Sequence, residues 1–260
     1  MRSLVQPGSQ AEIVGRLFLA VIVVIALPAL PFGTYLIYPF VILTTWFHEM
    51  GHGLTAVLFG QHFERLVIYA NGSGVAESFV AGDASRLTHA AIAAGGPLAP
   101  SFAGAVLIVA SAHARAWRPA LWLTAGAIVL SVAIYVRSSV GVSVLPLVAA
   151  LLGLIAWRAP AGFVRFSLQF LGVLGAMSML RDFDYLFTER TVIAGRSMLS
   201  DTGQIEAALG LPHWVWAGLI LGLSAMMVGA SLRYALDEKR LRAVPRNLPP
   251  GVVRFRRPPR

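Results

Sequence analysis

Five consecutive residues have the types and spacing of metal chemistry: His48-Glu49-Met50-Gly51-His52 fits the pattern H-E-x-x-H. Residues four apart share one face of a helix, so the two imidazoles can hold one Zn²⁺. Glu49 follows the first histidine directly and can reach a metal-bound water to take its proton. Zinc lowers the pKa of such a water from about 15.7 toward about 7, giving a hydroxide that attacks a peptide carbonyl. The surrounding stretch, Tyr38 to Phe59, carries no other charge. Two histidines and a glutamate in an apolar segment are costly, and such residues are as a rule functional. The competing reading is a purely structural hydrogen-bonded His/Glu cluster.

Catalytic zinc needs a third protein ligand and one open position. The other acids are few. Glu12, Asp237 and Glu238 are near the termini, and Glu64, Glu77 and Asp83 follow the motif helix. Asp182, Asp184, Glu189, Asp201 and Glu206 fall in one later connection. Counting spans puts the end of the sixth hydrophobic segment on the same side of the membrane as the motif. Asp182 stands there, on a rigid helix end, and is the expected third ligand; Asp201 and Asp184 are the alternatives.

The elements that must position these groups are membrane helices. The chain has 260 residues, 57% hydrophobic and only 13% charged, with a mean hydropathy of +0.72. Twenty-one basic and twelve acidic residues cannot coat a globular core of this size. Seven apolar segments are read, at roughly 13–31, 35–59, 88–111, 117–136, 141–157, 162–181 and 213–236, each near the about 20 residues that cross a bilayer. The fifth is short enough to be re-entrant. Pro28 and Pro31 mark the end of the first helix rather than a signal-peptide cleavage site. The expected fold is therefore all-α and membrane-embedded, with six to seven transmembrane helices. A small β-hairpin at the membrane surface is added by the alternation around Leu66, Ile68 and Tyr69 and the turn Asn71-Gly72-Ser73-Gly74. Residues 1–12 form an N-terminal segment, 13–236 the membrane core and 237–260 a basic disordered tail.

Phe47-His48-Glu49-Met50-Gly51-His52-Gly53 resembles the site-2 protease family of intramembrane zinc metalloproteases. Ala94-Gly95-Gly96-Pro97-Leu98-Ala99 is similar to that family's Gly-rich segment. Arg181-Asp182 resembles an Arg-Asp pair of its bacterial branch, and Ser200-Asp201 with Leu209-Gly210-Leu211-Pro212 its next block. The resemblance covers roughly residues 35–235. It implies a zinc endopeptidase of the bacterial inner membrane, acting on a membrane-protein or peptide substrate. Gly95, Gly96 and Pro97 are candidate substrate-binding residues, the glycines exposing backbone to a substrate strand and Pro97 freeing a helix carbonyl; ordinary close packing of helices on small residues is the alternative. The chain departs from the family in lacking Asn-Pro-x-x-Asp-Gly, so the third ligand is not given by the motif.

Other classes fit less well. The net charge of +9 sits largely in the tail and in short loops, which argues for helix anchoring and against nucleic acid. A transporter needs ionisable residues along a pathway, and the spans hold almost none beyond the motif. A non-proteolytic membrane binding or chaperone protein of the same fold has no use for Glu49. With no cysteine, disulfides and thiolate metal sites are excluded. Arg86 and His89 read as interfacial anchors, with a supporting place near the metal as the alternative; His113 and His213 read as interfacial and His62 as a loop histidine. Arg181 either orients Asp182 or snorkels. Arg2, Arg16, Arg65, Arg86, Arg137, Arg181, Arg190 and Arg196 are assigned to the zinc side, and Arg115, Arg118, Arg158 and Arg165 to the other, which makes the zinc side cytoplasmic if the tail is set aside.

Overall fold

The computed structural model describes residues 10–237; the predicted basic tail lies almost wholly outside the described residues. Seven long helices carry the fold: α1 (Gln10–Ala26), α2 (Gly33–Leu58), α3 (Arg86–Ser111), α4 (Trp117–Ile134), α5 (Ser139–Arg158), α6 (Ala161–Arg181) and α9 (His213–Ala235). Between α2 and α3 lies the hairpin β1 (His62–Ile68) and β2 (Gly74–Phe79). Between α6 and α9 lie α7 (Phe183–Leu186), the hairpin β3 (Arg190–Ile193) and β4 (Arg196–Leu199), and α8 (Asp201–Leu209).

Six of the long helices are long and apolar enough to cross a membrane, and the chain is an integral multi-pass membrane protein. The fifth apolar segment is one of them, a continuous helix of 20 residues, long enough to span. The helix outside the six is α2, although it has 26 residues. Tyr35, Tyr38, Pro39, Thr44, Thr45, His48, Glu49 and His52 dilute its hydropathy, so the helix least suited to lipid is the one that carries the motif. Its buried stretch includes every residue from Ile42 to Trp46.

Helix α3 is the central element, packed on α2, α6, α8 and α9. Small residues allow the close approach that drives helix association in lipid. A Cβ on Gly104 would lie 2.6 Å from the Gly172 carbonyl oxygen, so α3 and α6 touch backbone to backbone. The hairpin turn forms as its residues dictate. Asn71 Oδ1 accepts from the Ser73 amide at 3.1 Å and Ser73 Oγ at 2.8 Å, and Gly72 takes φ +86°. The hairpin runs back along α2, with the Gly72 carbonyl accepting from the Thr45 hydroxyl and the Ala70 carbonyl accepting from Tyr38. Its outer strand β1 is tied to the α4–α5 turn: the Leu66 amide donates to the Tyr135 carbonyl and the Ile68 amide to Ser138 Oγ, both at 2.9 Å.

One expectation is overturned by helix direction. Arg16 was assigned to the zinc side, but it donates to the Gly162 carbonyl at the start of α6 and pairs with Glu12. Gln10 reaches the Leu236 carbonyl at the end of α9. The N-terminus of α1 is therefore at the end of the bundle away from the motif. Helix α1 packs on α6, and a turn of 3₁₀ helix at Leu27–Ala29 separates it from α2. Arg2 lies outside the described residues. The loss of Arg16 removes support from the positive-inside argument for a cytoplasmic zinc side.

Candidate metal centre

The helical repeat of α2 brings His48 and His52 together as expected, with Nε2 to Nε2 at 3.2 Å and ring centroids 5.0 Å apart. The third residue of the group is Asp201. Its Oδ2 lies 3.1 Å from His48 Nε2 and its Oδ1 3.2 Å from His52 Nε2. Asp201 is 3% exposed and opens α8. Ser200 caps that helix, its hydroxyl accepting from the Gly203 amide at 3.1 Å. The carboxylate is thus held on the first turn of a helix.

Asp182, the residue preferred from the sequence, is not in the group. It ends α6 as a half-exposed side chain 3.6 Å from Arg181 Nε. Arg181 also donates to Thr44, one turn before His48, so α6 stops a turn short of the motif. Asp184, the other alternative, is exposed on α7. The chain gains the missing depth only through α7, β3, β4 and α8, which carry Asp201 to the histidines.

Hydrogen bonding orients the ligand atoms. His52 Nδ1 lies 2.7 Å from the Ile92 carbonyl oxygen. A carbonyl only accepts, so Nδ1 carries the proton and Nε2 keeps its lone pair for the group. The Gly-rich segment makes this contact possible. A Cβ on Gly96 would strike the His52 ring, one on Gly95 would strike Thr55, and one on Gly51 would lie 2.5 Å from Ala99 Cβ. Pro97 is buried in α3. Gly51, Gly95 and Gly96 form the close α2–α3 contact.

Glu49 is 5% exposed and sits where α2 meets β2. Gly74 leaves it room, since a Cβ there would lie 2.7 Å from Glu49 Oε1. The Ala76 backbone faces the same carboxylate. All of these residues border a cavity of about 530 Å³. On one side it is walled by β2, which pairs only with β1 among the described strands, and on the other by Ile193, Met198 and Leu199 of the second hairpin. Arg86, His89 and Tyr185 also border it. The remaining histidines stand elsewhere: His62 stacks on Phe79, His113 meets Tyr234, and His213 pairs with Glu206.

The donor set fits a divalent metal. Zinc with ligands at about 2.0–2.2 Å in a tetrahedron has ligand-to-ligand edges of about 3.3 Å; the two Nε2 atoms are 3.2 Å apart, and each lies 3.1–3.2 Å from a different oxygen of the Asp201 carboxylate. Asp201 Oδ2 is buried and makes no hydrogen bond, so a cation held between the three side chains would satisfy it.

A family model described as Peptidase M50B-like matches residues 17–231. The chain belongs to the Peptidase M50B-like family. The resemblance to site-2 proteases is borne out by this match, which covers the motif, the Gly-rich segment and Asp201 alike. No curated protein and no solved structure matches the chain. As a peptidase family in a membrane setting, it accounts for the acidic and imidazole groups buried among apolar helices, and for a lipid environment and peptide or membrane-protein substrates in general terms.

Proposed function

We propose that this M50B-like chain is a zinc endopeptidase that hydrolyses peptide bonds within or next to the bilayer, with His48, His52 and Asp201 as the metal ligands and Glu49 as the general base. The observation that carries the reading is the closed triangle of two imidazole nitrogens and one carboxylate with Glu49 buried beside it. Bound there, zinc would supply Lewis acidity toward a water and toward the scissile carbonyl. The chain does the rest. Glu49 takes one proton from the attacking water at a carboxylate oxygen and passes it to the amide nitrogen as the C–N bond breaks, leaving a carboxyl and an amine. Ile92 fixes the His52 tautomer. The unpaired edge of β2 supplies backbone groups for an extended substrate segment, and strand pairing of that kind needs no particular side chain. Gly95, Gly96 and Pro97 act on the substrate only through the helix contact they form. The resemblance to the bacterial branch implies the bacterial inner membrane as location.

Glu49→Gln tests the reading. The variant is nearly isosteric and keeps its metal, but cannot take the proton at neutral pH. Cleavage of a model membrane substrate by the purified protein falls by about 10²–10⁴-fold. Undiminished cleavage with zinc in place would remove Glu49 from the mechanism. Absence of cleavage by the wild type, with zinc bound, would favour a non-proteolytic binding protein.

A further inference from the structure

The histidine-bearing helix α2 and the aspartate-bearing helix α8 are far apart in sequence, and one aromatic side chain touches both groups. Tyr185 lies on the four-residue α7 and borders the cavity. Its hydroxyl accepts from the Asp201 amide at 3.2 Å. That amide belongs to the first turn of α8, where no helical carbonyl is available to it. One residue further, Thr202 Oγ1 donates to the Leu186 carbonyl at 2.7 Å. Two adjacent residues of α7 therefore dock two adjacent residues of α8, fixing the backbone from which the Asp201 carboxylate projects. The Tyr185 ring meanwhile stands edge-on to His48, with centroids 6.3 Å apart and planes at 72°. His52 is oriented by the Ile92 carbonyl; for His48 the corresponding support is this ring.

We propose that Tyr185 is a positioning residue of the metal centre, holding Asp201 through its hydroxyl and His48 through its ring. The inference rests on the reading of His48, His52 and Asp201 as ligands. It explains why a tyrosine stands where a phenylalanine would fill the same space: without the hydroxyl, a buried amide next to the carboxylate loses its acceptor. Positioning groups of this kind set metal affinity, because a ligand held in register does not have to be ordered when the ion binds.

The test uses the full chain purified in detergent, stripped of metal and titrated with Zn²⁺ against a chromophoric chelator and with Co²⁺ followed in the visible. Tyr185→Phe weakens zinc binding by about 10–100-fold and shifts the cobalt bands, which report ligand geometry. Phe187→Leu, at the residue that follows the same short helix and 38% exposed, changes neither. Thr202→Val removes the second α7–α8 bond without touching a ligand or Tyr185, and shifts the cobalt bands in the same sense; it serves also if Tyr185→Phe does not fold. Wild-type affinity and spectrum in Tyr185→Phe or, failing that variant, in Thr202→Val would overturn the positioning role. If Asp201→Ala still loses the metal in that case, the metal centre itself stands. A wild type that binds neither ion would overturn both.

Discussion

Replacing Gly96 by alanine separates a packing role of the Gly-rich segment from a substrate role. The added Cβ would lie 2.6 Å from His52 Cδ2 and closer still to Cε1 and Nε2. Carbon atoms rest at about 3.5–4.0 Å, so ring and helix must separate by about 1 Å. Metal-ligand distances tolerate only about 0.2 Å. The ring cannot take up the whole displacement without breaking its 2.7 Å bond to Ile92. Overpacking of this kind costs about 1–3 kcal/mol, and loss of the ring's carbonyl partner costs about 10–100-fold in metal affinity. Zinc titration of Gly96→Ala, paired with cleavage kinetics at saturating zinc, is the assay. Weakened zinc binding is expected as the primary defect. A variant with wild-type zinc affinity and melting temperature but a raised KM would refute the packing argument and return Gly96 to the substrate.

Asp201→Ala loses zinc while Asp182→Ala and Asp184→Ala retain it; metal analysis of the three purified variants decides, and a loss confined to Asp182→Ala would reverse the ligand assignment. The Glu206 carboxyl is held below its ordinary range by the His213 amide and imidazole at the start of α9. A depressed carboxyl stabilises the folded state above its unfolded pKa, and that contribution fades as pH falls through the folded value. Thermal unfolding between pH 7 and about pH 3 should show a shallower acid-side loss in Glu206→Gln than in wild type, and parallel curves would dismiss the contact. Trp46 Nε1 donates to Ser131 Oγ at 2.8 Å, joining α2 to α4 in the core, so Trp46→Phe should lower stability by about 1–3 kcal/mol; an unchanged unfolding midpoint would show that the bond contributes nothing.

The apolar runs revealed all seven long helices to within a few residues, because each needs about 20 apolar residues and nothing else in the chain imitates that. The first hairpin was legible for the same reason its turn forms: Asn71 and Gly72 are the residues such a turn demands. The second hairpin was not. Its strands have four residues each, and its turn is Ala194-Gly195, where Ala194 adopts φ +50° at a position usually given to Asn or Gly. Without that hairpin and the helix after it, the connection following α6 offers no rigid element near the motif, and the expectation therefore settles on Asp182 at a helix end rather than on Asp201, which the structure groups with His48 and His52. The corrective signal was present in Ser200-Asp201-Thr202-Gly203, a capping residue followed by a helical stretch, which sets Asp201 on a helix start as rigid as the end of α6. Tyr185 carries no comparable signal, because its role arises only from the meeting of α7 with α8.

X-ray absorption at the zinc edge of the purified protein tests the central claim most directly. Two imidazole nitrogens and a carboxylate oxygen at about 2.0–2.2 Å, with the imidazole scattering lost in His48→Ala/His52→Ala and the carboxylate contribution lost in Asp201→Ala, are the result expected from His48, His52 and Asp201 as they stand. A protein that holds no zinc, or whose zinc edge is unchanged by Asp201→Ala, would contradict the account.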